Sequence, residues 1–411
     1  MGSNDNPFEF HDSDLFVACV GDNGGTDNFD IREGFKSSVN IMINAVENGE
    51  YEDTMIYPVV YNVRHSIELS LKIIIEYIIY ICDFRREPFK EEDKKKIYTH
   101  DIEALDAIIQ KYYLFDRRIT EKYDKIHPYL KDYYFDKKGD VFKYESDHKG
   151  NPHLIMLGIS SISYDVLKRK YNEMMDLFDK LIFEVMYLCK EYSMGTFTKH
   201  LSRDDIRDIA KMLPLRKNWC AEEFSTAKTV IKKKYSIGSK EFSDALNIIQ
   251  KHCEFCTYIG MEIKIGAIEE KELREYAKLV MEMNGEDLYN DKIGCKSSGM
   301  SGICLGEIQK KARRRKELSE GISDETLGLL MMFREYGRLP ELFIERQERV
   351  LKVAGMQNFL RHDVLKKIEK RDAFRKILSG MKKCGQITYY EIIKSEFVNS
   401  GEELIELSYF R

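Results

Sequence analysis

Apolar positions along this chain recur with helical spacing almost throughout. From Ile31 they repeat every three or four residues as far as Asn48-Gly49, a pair that should stop a helix. Tyr57-Pro58 opens the next helix, with Pro58 expected in its first turn. That helix, residues 58–84, carries Val59, Val60, Val63, Ile67, Leu69, Leu71, Ile73, Ile74, Ile75, Ile78 and Ile79 on nearly every face. A helix apolar all round belongs at the centre of a bundle. Thr99 stands where it can cap the helix IEALDAIIQKYY. Between 134 and 157 the pattern shortens to alternation around His148, Gly150, Asn151 and Pro152, which predicts a small β-hairpin. Ser163 then leads into a long amphipathic helix that ends before Ser193-Met194-Gly195.

The second half opens on Ser202 with Asp205 three residues on, a variant of the capping box. Helices are expected over 203–212, 220–234, 240–261, 268–284, 303–319, 323–336, 340–354 and 363–381. The segment GQITYYEII, 385–393, reads as a short strand entering a final helix. The Gly-, Ser- and Asn-rich stretch 284–302 has the composition of an interior linker. These patterns predict an all-α protein: an irregular segment over 1–29, a helical bundle with a small hairpin over 30–198, and a second helical domain over 199–411. A candidate sub-boundary lies at 284–302.

Composition narrows this picture. A chain of 411 residues exceeds what one hydrophobic core usually organises. Its 43% apolar and 33% charged residues exclude a disordered chain, and only seven prolines favour helices. A net charge of −5 confines any nucleic-acid site to a local patch. The nine cysteines form no regular framework, as expected of reduced thiols. The polar, acidic N-terminus carries no secretory signal. The apolar run Ile73–Ile81 is too short to span a bilayer. A cytoplasmic protein without a membrane partner is expected.

The candidate chemistry begins in YPVVYNVRHSIELSLK, Tyr57 to Lys72. Arg64, His65, Glu68 and Lys72 sit at spacings that place them along one stripe, with about 5–6 Å between neighbouring Cβ atoms. Unpaired charges facing a dry core cost several kcal/mol. The stripe therefore either satisfies itself as an Arg64–Glu68–Lys72 ladder or borders a cleft or subunit interface. In the second case Arg64 binds a phosphate and His65 moves a proton.

This helix, followed by Thr99-His100-Asp101-Ile102 and then by Phe142-Lys143-Tyr144 with Asp147 and Gly150, resembles a bacterial branch of the HEPN superfamily. The resemblance covers residues 30–195. It implies a four- or five-helix bundle that often dimerises, and frequent roles as RNA-cleaving effectors in toxin–antitoxin, abortive-infection or CRISPR-linked systems. Active HEPN ribonucleases carry an Arg and a His four to six residues apart on one helix, and no Arg of this chain has a His at that spacing. Any catalysis must be assembled differently, from Arg64, His65, Glu68 and His100. Metal-independent RNA cleavage needs a base, an acid and a cation for the phosphate. The alternative is a catalytically silent HEPN-like module that binds a nucleotide, RNA or a protein.

A second basic feature is the run Lys310, Lys311, Arg313, Arg314, Arg315, Lys316. On a helix it surrounds the axis, either as a solvated helix end or as a phosphate-contacting patch; Lys72 is a further nucleic-acid-binding candidate. His252-Cys253-x-x-Cys256 lacks a second ligand pair and reads as core rather than zinc. No Walker loop, dinucleotide fingerprint, HExxH or GxSxG is present, so neither a cofactor nor a metal is called for. The resulting expectation is a bacterial or phage-defence-type effector acting on RNA, forming a homodimer and working with a protein partner of a defence system.

Overall fold

The computed structural model describes residues 8, 16–284, 305–339, 343–347 and 358–399. The chain divides into two compact units, Met1–Ser193 and Met194–Arg411; the sequence pattern places that boundary after 198. The linker expected at 284–302 lies, past Asn284, outside the described residues. Among the described residues the structure is helical without a sheet, and a lone antiparallel bridge pairs Ser146 with Pro152. No described helix is long and apolar enough to cross a membrane.

In the N-terminal unit, α1 (Asn28–Glu47) begins at Asp27, whose carboxylate accepts from the Phe29 and Asp30 N–H groups. It stops where Gly49 adopts φ +104°. The next helix, α2 (Glu52–Phe84), starts six residues earlier than its sequence predicts. Glu52 and Asp53 occupy its first turn, where carboxylates complement the helix dipole. Pro58 consequently falls in the second turn, at the loss of one intrahelical hydrogen bond. The helix is central: Val63, Ile67, Leu71, Ile74, Ile75 and Ile81 are fully buried. It packs against α1, α4 (Ile102–Tyr112) and α7 (Tyr164–Tyr192), while α5 (Arg117–Leu130) packs on α7. Short α3 (Glu91–Lys96) precedes α4.

Two local expectations change here. Asp101, not Thr99, caps α4, its carboxylate accepting from Glu103 and Ala104 N–H; Thr99 Oγ1 instead accepts from Asp101 N–H. The shift places His100 just outside the helix. The expected hairpin contracts to the Ser146–Pro152 bridge. Asp147 gathers the N–H groups of Lys149 and Asn151 and the Asn151 amide, closing a tight turn. Pro152 has no N–H with which to extend a ladder, and the chain enters a helical turn, α6 (His153–Met156).

In the C-terminal unit, Ser202 and Asp205 form the expected capping box of α8 (Arg203–Met212). Then come α9 (Glu222–Tyr235) and α10 (Ser239–Lys251). The helix expected over 240–261 breaks at His252, which is extended. Its Nδ1 accepts from Phe255 N–H and begins a 3-10 turn over Phe255–Ile259. Beyond lie α11 (Glu270–Asn284), α12 (Leu305–Gly321), α13 (Asp324–Arg338) and α14 (Ile344–Gln347).

The expected helix 363–381 is two, α15 (Asn358–Ile368) and α16 (Arg371–Lys383). Asn284 holds the break, accepting from Arg371 N–H and donating to the Glu369 carbonyl. The expected strand at 385–393 is α17 (Ile387–Asn399). Gly385 at φ +68° ends α16. Buried Gln386 then ties the junction to the Ile265 N–H and the Ile263 carbonyl. Where α13 crosses α16 the backbones touch: a Cβ on Gly337 would stand 1.8 Å from the Lys376 carbonyl oxygen, and one on Gly380 1.9 Å from that of Phe333.

Candidate functional site

Glu68, near the middle of α2, is 2% exposed. Such a carboxylate needs compensation, and three side chains provide it. Lys72 Nζ, one turn on, donates to Oε1 at 2.8 Å. His100 Nδ1, from the chain preceding α4, meets the same Oε1 at 3.0 Å. Arg64 Nη1, one turn back, donates to Oε2 at 3.3 Å. Burial pushes the Glu68 pKa up, but the hydrogen bonds and charges of Lys72 and His100 outweigh it and hold the carboxyl below its ordinary value. An ionised carboxylate only accepts, so His100 Nδ1 carries a proton. The side chain is 62% exposed, and its second ring nitrogen, Nε2, is not engaged by Glu68. Lys72 and His100 thus bring their nitrogens to at most about 5.8 Å apart, the two bonds end to end.

Arg64 is committed to the fold. Its Nη2 donates to the carbonyls of Asp136, at 2.8 Å, and of His100. Nε faces Asp136 Oδ2 at 3.1 Å as an ion pair rather than a directed hydrogen bond. Asp136 Oδ1 in turn accepts from the N–H groups of Gly139 and Asp140. The guanidinium therefore staples the loop 136–140 to α2 and is left with no open face for a phosphate.

His65 is not part of this network. Its half-buried ring meets Phe35 of α1 edge-on at 4.3 Å and lies parallel to Tyr61 at 6.0 Å. Burial lowers its pKa and outweighs the charge of Glu68, which raises it, while Lys72, Arg64 and His100 add to the lowering. The ring is consequently a neutral aromatic at physiological pH. Adjacent residues on a helix point about 100° apart, so Arg64 and His65 face different neighbours.

The basic run of α12 is largely neutralised by its surroundings. Arg314 pairs with Glu275 and Glu282, Arg315 with Glu369, Arg313 with Glu317, and Lys316 with Glu320. Lys311 Nζ donates to the Met283 carbonyl. Arg314 and Arg315 are partly buried, whereas Lys310, Lys311, Arg313 and Lys316 are exposed. Farther along the chain, His252 Nε2 meets Glu345 at 2.9 Å, and Cys253 and Cys256 are buried. Among the described residues no group of His, Cys, Asp and Glu side chains has the arrangement of a metal site.

Sequence reasoning missed Asp136 and Gly139. The signal was present in FDKKGD, where an Asp three residues before a Gly can fold a turn onto its own carboxylate. Nothing local, however, announces that Arg64, 72 residues upstream, is its partner. Also missed was Asp106, buried on α4. It accepts from Tyr123 and Tyr134, both at 2.5 Å, and from Gln110, and holds His127 Nδ1 at 3.0 Å.

No protein-family model, curated protein or solved structure matches this chain.

Proposed function

We propose that the N-terminal unit is the working part of a bacterial or phage-defence-type, HEPN-like effector that cleaves RNA without a metal. The observation that carries this reading is the sharing of one buried carboxylate oxygen, Glu68 Oε1, by Lys72 and His100. An ammonium and an exposed imidazole, oriented by a common anchor, are the pair that phosphodiester transesterification uses. Lys72 binds the non-bridging phosphate oxygens. His100 Nε2 takes the proton of the 2′-hydroxyl. The 2′-oxygen attacks phosphorus, the bond to the 5′-oxygen breaks, and that oxygen must receive a proton. A homodimer supplies the second imidazole, His100 of the other copy, for this step. Glu68 and Arg64 are positioning residues, and His65 packs.

The test measures degradation of total RNA and growth arrest for wild type, His100→Ala, Lys72→Gln and His65→Ala, beside melting temperatures. The expected result is loss of cleavage in the first two variants, which stay folded with a melting temperature lowered by the loss of one Glu68 partner, with His65→Ala still active. Cleavage by His100→Ala at the wild-type rate overturns the assignment. A second reading, a catalytically silent HEPN-like adaptor for nucleotide, RNA or protein, is favoured by the complete commitment of Arg64 to its own chain. Wild-type protein that binds RNA and leaves it intact would support it.

A further inference from the structure

The loop that Arg64 staples continues directly into a cleft. Past Gly139, Lys143 and Tyr144 both donate their N–H groups to the Asp140 carbonyl. Val141 and Phe142 are buried against Val60, Tyr61 and Ile56 of α2. This arrangement opens a cleft of about 380 Å³ whose lining includes Tyr57, Phe142, Lys143, Tyr144, Glu145 and Ile155. That volume lies within the range of about 300–1,000 Å³ usual for small-molecule sites.

Three features define what the cleft can hold. Its walls are aromatic: the Tyr57 and Phe142 rings lie 6.3 Å apart, and Tyr57 and Tyr144 are 45% and 57% exposed. A cation stands at the rim, Lys143 Nζ, 5.2 Å from the Tyr144 ring centre. Glu145 provides the carboxylate of the lining, so the negative part of a ligand belongs on the Lys143 side. A flat ring carrying a phosphate on one edge meets all three requirements.

Position supplies the remaining argument. Tyr57 and Glu68 are eleven residues apart on α2, close to three full turns, so they share one face about 16 Å apart along the axis. We infer that this cleft is a nucleobase subsite: it stacks one base of a single-stranded RNA on the exposed Tyr144 ring, with Tyr57 and the buried Phe142 as the apolar walls around it, and takes the adjoining phosphate on Lys143. The strand then runs along α2 toward Lys72 and His100. The inference rests on the RNA reading above and gives that site its substrate class, an unpaired strand rather than a duplex. A base can enter the cleft only when it is unstacked and free of its complement.

The experiment uses the full chain and a 2′-O-methyl oligoribonucleotide, uncleavable by 2′-oxygen attack, with 2-aminopurine as a reporter of stacking. Wild type should quench the fluorescence on binding. Tyr144→Ala should abolish the quench and weaken binding about 5- to 150-fold, the range of a lost base–aromatic stack. Lys143→Ala should reduce the slope of log affinity against log salt by about 0.7, one single-strand phosphate contact. Both side chains are exposed, so neither variant should change the melting temperature. The same preparations are assayed for cleavage of unmodified RNA. Quenching that is absent or survives Tyr144→Ala overturns the cleft, and if unmodified RNA is cleaved the catalytic reading stands. Quenching lost in Tyr144→Ala, but without cleavage, overturns catalysis and keeps the cleft. Neither activity overturns both.

Discussion

Gly139 lies against the guanidinium of Arg64 so closely that a Cβ built on it would stand 2.7 Å from Nη1. Its φ of +73° adds a second reason for glycine, since L side chains rarely adopt that region. Gly139→Ala should therefore push the loop 136–144 away from α2 at a cost of about 1–3 kcal/mol. For a unit of this size the melting temperature should fall by about 2–4 °C per kcal/mol. An unchanged melting temperature would show that the guanidinium moves aside freely.

Arg64→Ala should be more damaging. It strands Asp136 and removes one of three partners from Glu68, both 3% exposed or less. Breaking a buried pair from one side costs about 3–5 kcal/mol. Removing Glu68 as well should recover part of the loss. Urea denaturation of Arg64→Ala, Glu68→Gln and the double variant measures this, and strictly additive losses would rule out coupling between the two.

Stability should respond to acid through two groups whose contributions begin to fall at different pH. His65 and Glu68 both have folded-state pKa values below their ordinary 6.5 and 4.5. As pH falls, the unfolded chain therefore takes up each proton first, and the fold loses stability. The His65 contribution is fully present above pH 6.5 and is lost as pH drops through its lower folded value. That of Glu68 is fully present above 4.5 and is lost below it in the same way. His65→Gln should flatten the loss that begins at the higher pH and Glu68→Gln the one that begins at the lower. A series of urea titrations from pH 8 to pH 3 distinguishes them.

On α12, Arg315→Ala should act on stability rather than on RNA. Its partner Glu369 is 8% exposed and would lose a two-point contact at 2.6 and 2.8 Å. A loss of about 1–3 kcal/mol is expected. The salt dependence of RNA binding should stay as in wild type. A reduced slope would instead return Arg315 to the nucleic-acid surface.

The parts of this architecture that were legible are those set by neighbours in the chain. The apolar girdle of α2, the Ser163 and Ser202 caps and the stop at Gly49 all follow from spacing and side-chain type. The convergence of Arg64, Glu68 and Lys72 follows from helical periodicity alone. What spacing could not supply was the long-range partner. The break at His252 depends on Phe255 and on Glu345, and the break before Arg371 depends on Asn284. At Arg371 a distant side chain claims a backbone group that a continuous helix would have used, whereas at His252 the ring that takes the Phe255 N–H is the residue's own and is itself held by distant Glu345. The same limit hid the difference between Arg64 and its neighbour. Sequence adjacency suggested one site, whereas the 100° rotation per residue sends Arg64 to Asp136 and His65 to Phe35.

The crossing of α13 and α16 has a consequence for genetics. Every missense change of a glycine codon introduces a Cβ, and neither Gly337 nor Gly380 has room for one between the two backbones. If the protein arrests growth, survivors selected against that arrest should include lesions at these two codons as often as lesions at the codon for His100. Such alleles would map to the C-terminal unit and look like a second functional centre. Their signature would be a severe fall in the cellular level of the protein, whereas an allele at His100, which removes one of three Glu68 partners, would lower its abundance less.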